Sequence, residues 1–254
     1  MGIELKTSDE IAVMREAGLV VFEVLEELEK LVEPGIALEE LDQAARRETE
    51  KRGASCAFKD LYKFPKHICI SVNDQVVHGI PGKRKLQDGD LVKLDHGAMV
   101  RGWFGDSART VPVGKVSAAA QKLLEVTRES LEAGIRAMVV GNRVSDIGAA
   151  IEAVVAPHGY GIVRDYVGHG IGKRPHEDPQ VPNYGPAHWG RGQPNPRLRA
   201  GLVLAVEPMI NIGTHETRTL GDGWTVVTRD GKYSAHFEHT IAVTEAGPEV
   251  LTRP

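Results

Sequence analysis

At 254 residues, 41% hydrophobic and 26% charged, the chain has the composition of an ordinary soluble globular protein, with material for one large core or two small ones. Its 31 Lys and Arg against 35 Asp and Glu leave a net charge of −4, which offers no general attraction to nucleic acid or to an anionic membrane. Cys56 and Cys69 are too few for a disulfide framework and read as reduced thiols in a cytoplasmic chain. The N-terminal MGIELKTSDE lacks a signal-peptide core, and no later stretch suits a membrane span.

In chain order, Ser8, Asp9 and Glu10 read as a helix start, an N-cap followed by acidic residues. Ile11, Met14, Ala17, Leu19, Val21, Val24, Leu25, Leu28 and Leu31 then follow at helix-like spacing up to Pro34 and Gly35. A second helix places Leu38, Leu41 and Ala45 on one face and Arg46, Arg47 and Glu50 on the other, and ends at Gly53. After the turn-rich AFKDLYKFPK and the apolar HICISV comes the stretch on which the chain converges, GDLVKLDHGAMVRGWFGDSARTV at 89–111. Its two partly alternating runs, 91–94 and 108–113, flank Gly97, Arg101, Gly102 and Gly105, the pattern of a β-hairpin made irregular at its glycines. Asp95 ends the first run and Asp106 opens the second, so closing the hairpin brings two carboxylates together. Strand interiors are poor in Asp because a desolvated carboxylate is costly unless paired or metal-bound. Turn capping is the other common use of Asp at hairpin ends, and the hairpin alone does not choose.

The second half repeats the plan. An amphipathic helix is predicted over 117–140, broken at Gly141 and Asn142, and the next carries Val144, Ile147, Ile151 and Val154 before Pro157 to Gly159. GDLVKLD at 89–95 is echoed by AGLVLAVE at 200–207, setting Glu207 against Asp95; FEHTIAV at 237–243 sets Glu238 against Asp106. Each half, about 8–115 and 116–250, thus reads as two helices followed by an antiparallel sheet, within a single domain spanning 1–254. Pairing the halves collects the four carboxylates on one face. The Pro/Gly-rich segment between His176 and Gly201 reads as a surface loop near the rim of that face.

His169, in YVGHGIG, joins the acids. A single His is more often structural than a ligand, but Asp95, Asp106, His169, Glu207 and Glu238 together supply oxygen donors plus one imidazole. Such a set suits borderline-hard divalent ions, namely Mn, Fe(II), Co or Zn. A calcium site needs no His, and a structural zinc site favours Cys. Five side chains exceed the needs of one catalytic ion, and bridging carboxylates are the natural way to hold two. His96 and His239 flank ligands and alternate to the opposite face.

SVNDQVVHGIP, KLDHGA, GDSART, GHGIGKRPHEDP, LAVEPM and DGWTVVTRDGKYSAHFEHT, in that order over about residues 9–250, resemble the successive signatures of type I methionine aminopeptidases of the short bacterial form. The resemblance implies an α+β "pita-bread" fold, two pseudo-symmetric halves sharing one curved sheet. It implies removal of the N-terminal methionine from nascent polypeptides with a small second residue, by two-metal-activated attack of water on the first peptide bond. Asp106 and Glu238 match the bridging carboxylates, His169 and Glu207 complete the tighter site, and Asp95 chelates the second ion. Glu207 matches the proton-shuttling position, His176 the contact to the scissile carbonyl oxygen and His78 the contact near the amide nitrogen. Phe64, Cys69 and Trp224 match methionine-pocket positions, with Phe58 and Leu61 in the same wall, although these aromatics also suit an ordinary core. By the same resemblance, backbone carbonyls near Asn73 and Ser234 hold a monovalent cation.

Pro175 stands where many relatives carry an aromatic residue, Leu61 where tyrosine is common, and the loop at 186–196 is longer than usual. These departures touch pocket shape and second-residue preference and leave every ligand position intact. The rival readings are an Xaa-Pro aminopeptidase or dipeptidase, which shares the ligand pattern but usually adds an N-terminal domain, and a non-catalytic binding protein of the same fold, which loses ligands. The implied role is that of a cytoplasmic monomer acting on nascent chains, with ribosome association following from the role alone. The chain's own Met1–Gly2 start fits such a substrate.

Overall fold

A computed structural model describes residues 2–59 and 61–254; Met1, the expected substrate residue, lies outside them. Helix α1 (Ser8–Leu31) is capped one residue before the expected Ser8: Thr7 accepts from the Glu10 amide, and the Glu10 carboxylate accepts from the Thr7 amide. That reciprocal box satisfies two otherwise orphaned amides. Helix α2 (Leu38–Lys51) follows, then strands β1 (Ser55–Cys56), β2 (Cys69–Val72), β3 (Gln75–Val77), β4 (Leu91–Val100) and β5 (Trp103–Pro112).

The second half opens with α3 (Ala118–Arg136) and α4 (Val144–Val155). Helix α3 stops four residues before the predicted end; Ala137 caps it and Val139 and Val140 are exposed, so their apolar character was not a helical face. Strands β6 (Gly161–Ile162), β7 (Gly168–Gly170), β8 (Glu177–Val181), β9 (Val203–Val206) and β10 (Met209–Asn211) follow. The chain ends through β11 (Thr217–Thr219), β12 (Val226–Thr228), β13 (Ser234–His236), β14 (His239–Thr244) and β15 (Gly247–Val250).

The β4–β5 hairpin is regular over ten residue pairs, from Leu91↔Pro112 to Val100↔Trp103, and turns at Arg101 and Gly102, both at positive φ. That geometry matches the twist of the strands it joins. The predicted irregularities at Gly97 and Gly105 are therefore absent. A Cβ on Gly105 would come within 2.7 Å of the Gly18 backbone on α1, and one on Gly97 within 2.9 Å of Ala57 and Phe58. Both glycines are contact points between layers, with the strand unbroken.

Among the described residues the strands form four sheets, two of them three-stranded, β13-β10-β6 and β11-β12-β3; in the two larger ones β4 pairs with β1, β2 and β5, and the order is β15-β14-β9-β7-β8. The two larger sheets meet where Ala108 of β5 bridges Glu238, and hydroxyls complete the seam. Ser107 Oγ donates to the Glu238 carbonyl at 2.6 Å, Thr110 Oγ1 to the His236 carbonyl at 2.7 Å, and Thr240 Oγ1 to the Asp106 carbonyl at 2.8 Å. Beneath, α1 and α2 pack on Ile70, Val92 and Leu94, and α3 and α4 on Leu204, Val206 and Ile241, one apolar core per half. Helix α1 also runs under the seam: Met14 packs with Ile171, Val203 and Leu251 of the second half.

The 186–196 loop is displaced from its expected place. Asn195 Oδ1 accepts from the Ser145 amide at the start of α4, Asn195 Nδ2 donates to Ser145 Oγ, and Arg143 donates to the Asn195 carbonyl. It is a cap for α4, and none of its residues lines the cavity described below. The preceding Glu177–Val181 forms the sheet edge β8, where its Pro179 removes no ladder bond that matters.

Candidate metal centre and substrate pocket

Strand geometry delivers the acids to one place. Asp95 pairs with Ala108 and Asp106 with Gly97, so the two aspartates lie diagonally on the same face of the hairpin. In the other sheet His239 pairs with Val206, leaving Glu238 and Glu207 just past those ends, and His169 on β7 faces Ala205, two residues from Glu207. The seam at Ala108↔Glu238 then closes the group. Ligand atoms of Asp106, His169 and Glu238 all lie within 4.8 Å of one another, as do those of Glu207, His236 and Glu238. Asp95 lines the same cavity outside both triads.

The electrostatics call for cations. Burial pushes Asp106 up to about 7, and burial with mutual repulsion pushes Asp95, Glu207 and Glu238 well above the usual carboxylate range. Asp106 Oδ1 and Glu238 Oε1 are buried with no hydrogen-bond partner. His169 directs Nδ1 to the Gly170 carbonyl at 3.0 Å, which leaves Nε2 toward Glu207 Oε1 at 3.4 Å, the usual way a ligating imidazole is oriented. Orphaned carboxylate oxygens around an oriented imidazole fit divalent ions.

A cavity of about 260 Å³ opens from this group, and every residue expected at the site lines it. Phe58, Phe64 and Cys69 form a small apolar cluster with Leu61 and Trp224, separate from the two main cores, so these residues are pocket wall. The Phe64 and Trp224 rings meet edge to face at 5.1 Å. Burial raises the Cys69 thiol well above its ordinary pKa, which suits a wall and disqualifies a nucleophile. His78, at φ 59°, sits edge-on to Tyr166 at 5.5 Å, and burial lowers its pKa to about 4. His176 packs against His169 at 4.4 Å between ring centres and stacks on Tyr62 at 5.9 Å. Its loop is fastened by Glu177, whose buried carboxylate accepts from Lys6 Nζ at 2.6 Å. His96 and His239 face away as expected, onto Thr49 and Thr252.

Sequence reasoning missed five neighbours: Tyr62, Val77, Tyr166 and Val167 in the cavity wall, and His236 beside the acids. Val167 and His236 were legible, each two residues before a ligand and so on its face of an extended strand. Tyr62 and Tyr166 carried no such signal. The expected monovalent-cation site is corrected: the Asn73 and Ser234 carbonyls accept hydrogen bonds from Lys93 Nζ at 2.7 and 2.8 Å. The cation between them is the chain's own ammonium.

Comparison with known proteins agrees with this geometry. The model of metallopeptidase family M24 matches residues 12–245. Methionine aminopeptidase 1 of Bacillus subtilis is 52% identical over 248 residues, covering 98% of both chains. The crystal structure of methionine aminopeptidase from Thermotoga maritima superposes with a TM-score of 0.95 at 41% identity, covering all of both chains. The prolidase of Pyrococcus furiosus, at 22% identity and TM-score 0.77 over 65% of its own length, shares the fold. With its buried acids, oriented imidazole and apolar wall on this scaffold, the chain belongs to metallopeptidase family M24 and, within it, to the methionine aminopeptidases.

Proposed function

We propose that the protein removes the N-terminal methionine from nascent polypeptides whose second residue is small, acting as a cytoplasmic monomer with two divalent ions (Mn, Fe(II), Co or Zn). The observation that carries this reading is the direct junction of the carboxylate–imidazole group with one small apolar pocket. At about 260 Å³ the cavity falls below the roughly 300–1,000 Å³ usual for drug-sized ligands, which suits a single unbranched side chain. A thioether packs well on the aromatic edges and thiol of Phe58, Phe64, Trp224 and Cys69, with Leu61 completing the wall.

Asp106 and Glu238 would bridge the ions, His169 and Glu207 complete one site, and Asp95 hold the other. Divalent ions there supply Lewis acidity and lower the pKa of water. Glu207 takes up and returns the proton, a role suited to a carboxyl that burial, and then its acidic neighbours, push above the usual carboxylate range. His176 is neutral through burial and donates to the scissile carbonyl oxygen; His78, also neutral, serves the amide nitrogen side.

The test is release of free methionine from Met-Ala-Ser and Met-Pro peptides after chelation, with Mn, Fe(II), Co or Zn restored singly. Restoration by a divalent ion, lost in a His169→Ala variant, is the expected outcome. Cleavage of Xaa-Pro substrates in preference to Met-Ala-Ser would replace this reading with a prolyl-specific one.

A further inference from the structure

His236 closes β13 beside the acids. Its side chain is 1% exposed, and neither ring nitrogen has a hydrogen-bond partner. A buried imidazole left so is costly, by about 1–3 kcal/mol for an unsatisfied polar group, and calls for a missing partner. Its backbone is held on two sides, which fixes the point from which the ring projects. The His236 amide donates to Thr110 Oγ1 at 2.8 Å, the Thr110 hydroxyl donates back to the His236 carbonyl, and the residue pairs with Met209 of β10.

Nε2 points at the acids, 3.6 Å from Glu207 Oε2 and 3.9 Å from Glu238 Oε2. Both gaps exceed hydrogen-bond length. They are the spacing of separate donors around one ion: ligand atoms each about 2.1 Å from a shared cation stand roughly 3–4 Å apart. The His169 Nε2 to Glu207 Oε1 distance, 3.4 Å, belongs to the same range.

We propose that His236 is a further metal ligand, its Nε2 joining Glu207 and Glu238 around one divalent cation. The inference rests on the metal-site reading given above and adds a second imidazole to a donor set of one His and four carboxylates. More nitrogen in the set favours zinc and cobalt over manganese. Thr110, through its pair of bonds to the His236 backbone, is the residue that positions this ligand.

The experiment loads the metal-free full chain with one equivalent of zinc and counts imidazoles by X-ray absorption at the zinc edge; calorimetry with zinc and with manganese follows on wild type, His236→Gln and His169→Ala. Two imidazoles in the wild type and one in His236→Gln are expected. Zinc affinity should fall roughly 10- to 100-fold in that variant, the loss seen even when groups supporting a ligand are removed, with a smaller loss for manganese. One imidazole in the wild type, a count that needs no variant to fold, would overturn the proposal. So would unchanged zinc affinity in His236→Gln beside a loss in His169→Ala, a result that leaves the metal-site reading standing. Failure of the wild type to bind zinc or manganese at all would overturn both.

Discussion

His96 shows how one buried group couples stability to pH. Its ring is fully buried, Nε2 lies 2.9 Å from Thr49 Oγ1, and burial lowers its pKa to about 4. The folded state thus keeps the ring neutral, while the unfolded chain binds a proton below the ordinary value near 6.5. Unfolding takes up a proton between those limits, so stability falls as pH drops from 6.5 toward 4, by up to about 3 kcal/mol at roughly 1.4 kcal/mol per pH unit. Thermal unfolding of a His96→Asn variant should lack that part of the acid slope; an identical slope in both proteins would contradict the assignment. Lys93 is the opposite case, a buried cation with main-chain acceptors, which burial lowers to about 7. Lys93→Met should cost about 1–3 kcal/mol for the Ser234 carbonyl it leaves unpaired, the Asn73 carbonyl keeping the Ser234 amide as a donor, and the loss reads as a lower unfolding midpoint in urea. Exchanging sodium for potassium should leave the wild-type midpoint where it is, because the ammonium already sits between those carbonyls.

At the scale of elements, the seam between the sheets rests on close approach more than on ladder bonds. Gly105 lets β5 touch the α1 backbone at Gly18, and a Cβ on Gly18 itself would fall 2.3 Å from the Leu251 carbonyl. Helix α1 is thereby pressed between the hairpin of one half and the C-terminal segment of the other. Gly105→Ala should destabilise by about 1–3 kcal/mol or more, the usual cost of overpacking a tight contact. Because Asp106 is the next residue, the same substitution should also weaken metal binding by calorimetry. A variant with full metal affinity and an unchanged melting temperature would show that the layers can part freely. The hydroxyls of Ser107, Thr110 and Thr240 do work that a continuous ladder would otherwise do, holding Glu238 and His236 at fixed depth.

On the scale of the whole molecule, folding gathers charges that repel one another. Four carboxylates raised by burial and mutual repulsion bind protons in the folded state that the unfolded chain has already released. Metal-free protein therefore loses stability from this group as pH rises from about 4 through 7. Bound cations require the deprotonated ligands and stabilise the folded state by mass action. The gap in melting temperature between manganese-loaded and chelated protein should widen from pH 5.5 to pH 8 by several degrees, on the order of 2–4 °C per kcal/mol for a chain this size. A gap that narrows with pH would show that the acids are not the ligands.

The helices, the hairpin and its two aspartates, and the recurrence of acids in the second half were all legible in the sequence, because amphipathic period and strand alternation are local properties. Sequence order also placed Glu207 and Glu238, each beside a strand whose apolar pattern is plain, and His169, which its two flanking glycines marked. What lies between elements was decided only by the tertiary structure. Gly97 and Gly105 look like turn residues until the layer they touch is known. The 186–196 loop looks like a rim until Asn195 is seen capping α4. Nothing in the sequence marks Lys93 for the two distant carbonyls that converge on its side chain, and strand alternation places His236 beside Glu238 without showing that Glu207, twenty-nine residues earlier, stands 3.6 Å away. Contacts across such separations leave no period in the chain, because they depend on how elements pack and not on the order of residues within one.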